Sequence, residues 1–312
     1  MPLPEFHAPV ASDAAGGTDA GGSTTPAGAQ SAASTQQPPP AQKAPPAPAA
    51  PVGPPQPVKL TATVTDGGQP ISAGLVWRVY NAKPDVSGKL ILAAKSDDPV
   101  AQVSLAPGAY VVDVAYGRAQ ASDALTVTTG ANSKSIVLNA GGLRLNAAIT
   151  GDIAIPINQL HFDIFTPGPS DADRQVVEQN LAANDILTLN AGTYHVVSYF
   201  GDVNAVVRAD LKVEAGQLTD ATLYHRAAQV SFKLVTETGG EAIADVDWTV
   251  RSKDGTIIFA NTGTFPSVVL QEGDYTVFAK RGDTVYNRDF EVQPSQPKDI
   301  EVLTTVDQPS QG

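Results

Sequence analysis

The phrase L-x-x-G-x-Y-x-V-x-x-x-x-G occurs three times in this chain, at Leu105 to Gly117, Leu189 to Gly201 and Leu270 to Gly282. Its tyrosines, Tyr110, Tyr194 and Tyr275, lie 84 and 81 residues apart. A unit of roughly 80 residues is therefore present three times, and a unit of that length can bury a core of its own. Length alone would suggest about two domains; the repeat raises the expectation to three.

Around each phrase the apolar residues alternate with polar ones. Val58, Leu60, Ala62 and Val64 share one face of a first strand, Asp66-Gly67-Gly68 supplies a turn, and Leu75, Trp77 and Val79 line a second strand. Leu90 to Ala93, then Tyr110 with Val112 and Val114, then Leu125 with Val127 and Ile136 with Leu138 complete the unit. The second unit repeats the order through Leu143 and Leu145, Phe162 and Ile164, Tyr194 and Val196, Leu211 and Val213, and Leu223. The third does so through Phe232, Trp248 and Val250, Tyr275 and Val277, Phe290 and Val292, and Ile300 and Val302. Six or seven short strands per unit indicate an all-β chain of antiparallel β-sandwiches. Ser170 to Leu181 has helix-compatible composition, but its place in the repeat reads as a strand.

Residues 8 to 57 are almost wholly Ala, Gly, Ser, Thr, Gln and Pro, and half of the twenty positions from Pro38 to Pro57 are proline. Such a segment buries too little apolar surface to offset its ordering entropy, so residues 1–57 read as a disordered leader with polyproline character in its second half. A P-x-x-P pattern at Pro45-Pro46-Ala47-Pro48 is common by chance in such sequence, and a spacer is the plainer reading. The three sandwiches then occupy 58–141, 142–227 and 228–304, with a polar, disordered tail at 305–312. The joints are short: Asn139-Ala140-Gly141-Gly142 and Tyr224 to Gln229 hold no proline or glycine spacer of useful length. The last strand of one unit should run almost directly into the first of the next, favouring a semi-rigid rod.

The net charge of -12 repels phosphate backbones and anionic lipid, which argues against nucleic-acid and membrane-surface partners. The chain has no cysteine, which excludes disulfides, thiolate chemistry and an acylated cysteine. Met1 to Phe6 has neither a basic nor an apolar targeting region, and no later stretch is apolar enough to span a membrane. The location is extracytoplasmic if a signal peptide preceded this start, and cytoplasmic otherwise.

Within the motif, Gly108, Gly192 and Gly273 precede the tyrosines by two residues, where a tight turn would use a positive φ. The tyrosine hydroxyl needs a partner in the core or at its rim. The phrase Leu105-Ala106-Pro107-Gly108-Ala109-Tyr110-Val111-Val112, with Gly68-Gln69-Pro70-Ile71 leading to Trp77, resembles the transthyretin-like or prealbumin-like sandwiches of bacterial envelope proteins. These include the B-type repeats of collagen adhesins and the carboxypeptidase regulatory-like domains. The resemblance covers residues 58 to 304 and implies an Ig-like sandwich fold; proteins of this kind serve as stalks, adhesins and accessory modules. Some adhesin repeats form an internal Lys to Asn isopeptide bond from a buried lysine. Lys59 and Lys233 alternate with apolar neighbours and should face solvent, and Arg144 stands at that place in the second repeat.

No catalytic, cofactor or metal site emerges. The histidines His7, His161, His195 and His225 lack metal-ligand spacing, the pairs Asp171/Asp173 and Asp245/Asp247 lack the rest of a calcium loop, and no nucleophile elbow or phosphate loop occurs. The chain reads as a non-enzymatic structural or protein-binding module; an accessory array that positions a partner enzyme or envelope assembly is the alternative. The expected partner is a protein or envelope component. Its candidate face is the outward phase of the second repeat, where His161, Phe165, His195, Val197 and Tyr199 are unusually apolar and aromatic. His161 and His195, on the polar phase, should be solvated.

Overall fold

The computed structural model describes residues 52–304. Of the expected disordered leader, 1–57, residues 1–51 lie outside the described residues, as does the tail at 305–312. Residues 52–57 correct the expectation, since strand pairing already begins at Gln56 and the Val52 N–H donates to Pro107 O at 3.0 Å. The first repeat comprises β1 (Gln56–Thr63), β2 (Leu75–Asn81), β3 (Leu92–Ser96), β4 (Ala101–Leu105), β5 (Gly108–Tyr116), β6 (Ala119–Val127) and β7 (Asn132–Val137). The second holds β8 (Ala140–Ile149), β9 (Ile153–Ala154), β10 (Leu160–Phe165), β11 (Val176–Ala182), β12 (Ile186–Asn190), β13 (Gly192–Phe200), β14 (Val206–Val213) and β15 (Leu218–His225). The third holds β16 (Ala227–Val235), β17 (Asp247–Ser252), β18 (Ile257–Thr262), β19 (Ser267–Gln271), β20 (Gly273–Arg281), β21 (Thr284–Val292) and β22 (Lys298–Leu303). The helix-compatible stretch after Ser170 is one 3-10 turn, Asp171–Asp173, followed by strand β11.

Each repeat is a sandwich of a three-stranded and a four-stranded sheet: β4-β1-β7 with β3-β2-β5-β6, β12-β8-β15 with β11-β10-β13-β14, and β19-β16-β22 with β18-β17-β20-β21. The four-stranded sheets are antiparallel throughout. In each three-stranded sheet, however, the first strand of the repeat pairs in parallel with the last: β1 with β7, β8 with β15 and β16 with β22. Because those two strands run the same way, the chain enters a sandwich at one end and leaves it at the other. That topology lets β7 pass into β8 and β15 into β16 with almost no linker.

Period-two alternation places one face of every central strand in a core. Three cores result, and the second recruits Val269 from the third repeat. Trp77, Phe162 and Trp248 occupy equivalent places opposite Val114, Ser198 and Ala279, and all three are fully buried. The two indole N–H groups donate to Asp98 O at 3.0 Å and Gly263 O at 2.8 Å, so burial leaves neither unpaired. The edge strands β3, β11 and β18 each carry a register shift against their neighbour, which twists the edge away from further pairing. Lys59 is exposed, whereas Lys233 is held half-buried by Glu301 at 2.9 Å on the parallel neighbour β22.

Trp248→Ala should destabilise the third sandwich by about 3–5 kcal/mol through lost burial and the cavity left behind. Trp77 is then the single remaining tryptophan. Calorimetry of that variant should therefore show an early transition that Trp77 fluorescence does not follow. An unchanged thermal profile would contradict the assignment.

Candidate interaction face and the joints between repeats

The outward residues of the second repeat do share one face. β10 and β13 are neighbours, with His161 opposite Tyr199, Asp163 opposite Val197 and Phe165 opposite His195. The His161 and Tyr199 rings stack with centroids 4.7 Å apart and planes 9° from parallel. His161, Phe165 and Tyr199 are partly exposed, but His195 and Val197 are only 7% and 5% exposed. The expectation that His195 is solvated therefore fails. Its Nδ1 lies 2.7 Å from Asp210 Oδ1 on β14, and its Nε2 is buried without a hydrogen-bond partner.

The connection of residues 166–175 between β10 and β11 lies near this face. Tyr199 has its hydroxyl pKa raised mainly by burial, then by the Asp163 charge, and also by Asp171 from that connection. Asp171 in turn holds Arg174, and Ser170 bonds Asp173 at 2.5 Å, so the Asp171/Asp173 pair has local partners. Among the described residues no three His, Cys, Asp or Glu side chains gather as a metal site.

The motif tyrosines do a different job. In every repeat the hydroxyl donates to the carbonyl four residues earlier: Tyr110 to Ala106 O at 2.8 Å, Tyr194 to Asn190 O at 2.9 Å and Tyr275 to Gln271 O at 2.8 Å. Burial raises all three hydroxyl pKa values, which keeps the groups protonated as donors. The expected positive φ holds at one motif glycine of the three: Gly273 has φ +153°, whereas Gly108 and Gly192 lack a positive φ and open strands β5 and β13. A Cβ at Gly192 or Gly273 would lie 3.9 or 3.8 Å from the ring of the motif tyrosine, an ordinary van der Waals distance, so the ring does not exclude a larger residue at either place.

The last glycine of the motif, to which sequence reasoning gave no role, builds the joints. Gly117 and Gly201 take φ of +61° and +69° in the turns after β5 and β13. A Cβ on Gly117 would lie 3.0 Å from Thr188 Cβ, and one on Gly201 would lie 2.8 Å from Val269 Cβ. Thr188 and Val269 occupy the same repeat position, just before the motif leucine of the following repeat. The first two sandwiches thus each seat this turn on the following sandwich by close backbone approach, which only glycine permits there.

Polar contacts surround both seats. At the first, Arg118 N–H donates to Thr188 O at 3.0 Å, Arg118 Nε pairs with Glu178 at 2.6 Å, and Asn190 bonds Gln120 N–H and O at 3.0 Å and Leu138 O at 2.8 Å. At the second, Asn204 Oδ1 accepts from Gln271 N–H at 3.1 Å and its Nδ2 donates to the Tyr275 hydroxyl at 2.9 Å. The linker carbonyls of Asn139 and Arg226 accept from Ala191 and Glu272 N–H at 2.6 and 2.8 Å. The Arg226 and Glu272 side chains pair as well.

One polar pair lies inside the second core. Ser198 Oγ and His225 Nε2 are 2.8 Å apart, bridging β13 and β15 across the sandwich, and both residues are buried. Burial lowers the histidine pKa to about 4, so the ring is neutral at pH 7.

Comparison with known proteins reaches the third repeat most directly: residues 229–304 match the Rhizobiales growth-associated tandem repeat domain. No curated protein matches the chain. Among solved structures, the streptococcal ancillary pilin is similar at 11% identity and a TM-score of 0.31, over 80% of this chain and 98% of that one. The major pilin subunit BcpA of Bacillus cereus is similar at 11% identity and a TM-score of 0.23, over 80% and 100%. The Bacillus anthracis TIE protein shares 15% identity at a TM-score of 0.23, over 80% of this chain and 50% of that one, so the chain spans half its length. Likenesses this distant do not transmit a function.

Tyr194→Phe removes one donor from a part-buried carbonyl and should cost about 0.5–1.5 kcal/mol in denaturant unfolding. Tyr275→Phe should cost more than Tyr110→Phe, because Tyr275 alone also accepts from Asn204 across a joint. Equal losses at the two positions would show that the joint contact adds nothing.

Proposed function

We propose that this chain is a non-enzymatic, extracytoplasmic bacterial module. Three sandwiches, at 58–141, 142–227 and 228–304, are locked end to end as a semi-rigid rod that holds a protein partner away from its point of attachment. The observation that carries the reading is the repeated joint: the same motif glycine, seated on the same position of the next repeat, occurs at both junctions. Two independent junctions built alike are what a spacer of defined length requires. An enzyme would instead concentrate reactive groups, yet the Ser198–His225 hydroxyl–imidazole pair, found among the described residues, is sealed in a core. The match of the third repeat to a family described as a growth-associated tandem repeat domain of Rhizobiales supports a bacterial tandem-repeat module.

Small-angle scattering on residues 52–304 tests the rod. An elongated distance distribution is expected, and Gly117→Val with Gly201→Val should bend it. Each substitution forces a side chain into a left-handed backbone and against the seat. A compact distribution for the unsubstituted protein would overturn the reading.

The partner-binding part of the proposal rests on His161, Phe165 and Tyr199, the partly exposed members of the second repeat's outward set. Replacing Phe165 and Tyr199 with Ser should leave unfolding almost unchanged and abolish association with an envelope partner recovered by cross-linking. Lost stability with unchanged association would assign the residues to structure alone.

A further inference from the structure

The Ser198–His225 pair is peculiar to the second repeat. Counted from the motif tyrosine, Ser198 stands where the other repeats have Val114 and Ala279. His225 lies two residues beyond Leu223, which pairs with Ala147, just as Leu138 lies two beyond Ile136, which pairs with Ala62. The first repeat therefore fills with valine and leucine the places that the second gives to a hydroxyl and an imidazole. Both of those apolar residues are buried, so the architecture does not need the polar pair.

Its position is at the second joint. The His225 ring meets the Phe200 ring edge-on, centroids 5.9 Å apart. Phe200 leads into Gly201, whose turn is seated on Val269 of the third sandwich. Beyond His225 come Arg226, whose carbonyl and side chain both hold Glu272, and then Ala227 and Ala228, which lie in the second and third cores respectively. His225 thus sits between a core and the contacts that hold the next domain.

The groups facing the imidazole are Ser198 and Phe200 from β13, while Thr150 beyond β8 bonds the His225 carbonyl; none carries a charge. The adjacent charges in sequence, Arg226 and its partner Glu272, are engaged with each other on the surface. A proton taken up from solvent would leave an imidazolium in an apolar interior with no carboxylate beside it, and hydrating that ring requires the end of β15 to part from β13.

We propose that His225 is an acid-sensitive latch on the joint between the second and third sandwiches: protonation of its ring draws β15 from Phe200 and frees the Gly201 turn from Val269. The first joint, backed by Val114 and Leu138, has no such group and stays closed. This inference rests on the joints being stiff at neutral pH.

The sign follows from linkage. The folded ring resists protonation relative to an ordinary histidine, so the closed joint is fully favoured above the ordinary range and loses ground as pH falls. The ratio of open to closed joint should rise about tenfold per pH unit between about 6.5 and about 4, since one proton is taken up on opening.

The chain has no native cysteine, so dye pairs can be placed at will. Lys212→Cys with Asp299→Cys reports the second joint, and Lys95→Cys with Lys212→Cys the first, in single-molecule energy transfer on the full chain. The expected result is a narrow distance at both joints at neutral pH and a broad one at the second joint alone near pH 4. Ser198→Val with His225→Leu, copying the first repeat, should abolish that response. A second joint that stays narrow, or that broadens equally in the double variant, overturns the latch. Broad distances at both joints at neutral pH would instead overturn the rod. Should the double variant fail to fold, the imidazole titration of the unsubstituted protein by NMR decides: a ring titrating with an ordinary histidine pKa overturns the proposal.

Discussion

The hydrogen bond from each motif tyrosine to the carbonyl four residues back is the interaction on which the rest of this structure depends. It closes the corner between two sheets, and in the second and third repeats the residue it fixes is also the one that meets the preceding sandwich. Asn190 offers its carbonyl to Tyr194 while its side chain grips Gln120 and Leu138 of the repeat before. Gln271 offers its carbonyl to Tyr275 while its N–H donates to Asn204, which also reaches the tyrosine hydroxyl. A buried donor left without its acceptor costs more than the bond itself contributes, so fold and joint are tied to one group.

The two joints use equivalent positions with exchanged chemistry. At the first, the side chain belongs to the following repeat, Asn190, and the backbone to the preceding one, Gln120. At the second, the side chain is Asn204 of the preceding repeat and the backbone that of Gln271. The first repeat departs further, because Pro107 stands where Ala191 and Glu272 donate an N–H and accepts instead from Val52 at 3.0 Å. At the third repeat the turn glycine Gly282, with φ +58°, has no atom within 4 Å of a built Cβ.

The second repeat is the divergent one. It replaces tryptophan by Phe162, places Ser198 and His225 in its core, and carries on its outer face a histidine that is buried on the polar phase of its strand. Alternation assigned His195 correctly to the outer face of the sheet but not to its exposure. Exposure on a sheet face is set by what the cross-strand neighbours and nearby connections cover, and in this repeat Phe165, Asp210 and the 166–175 connection are the neighbouring elements.

Alternating apolar residues, the repeated phrase and the short joints determined by themselves that the chain is all-β, that it is built three times over and that Trp77, Phe162 and Trp248 anchor the cores. Those features are local, because side-chain alternation follows directly from strand geometry. Only the tertiary structure decided that the first and last strands of each repeat run in parallel, that the motif's final glycine is a seat for the next domain and that Ser198 meets His225. Each of these joins residues tens of positions apart. Nothing in a local pattern encodes such a pairing, because it depends on which strand ends the fold brings together.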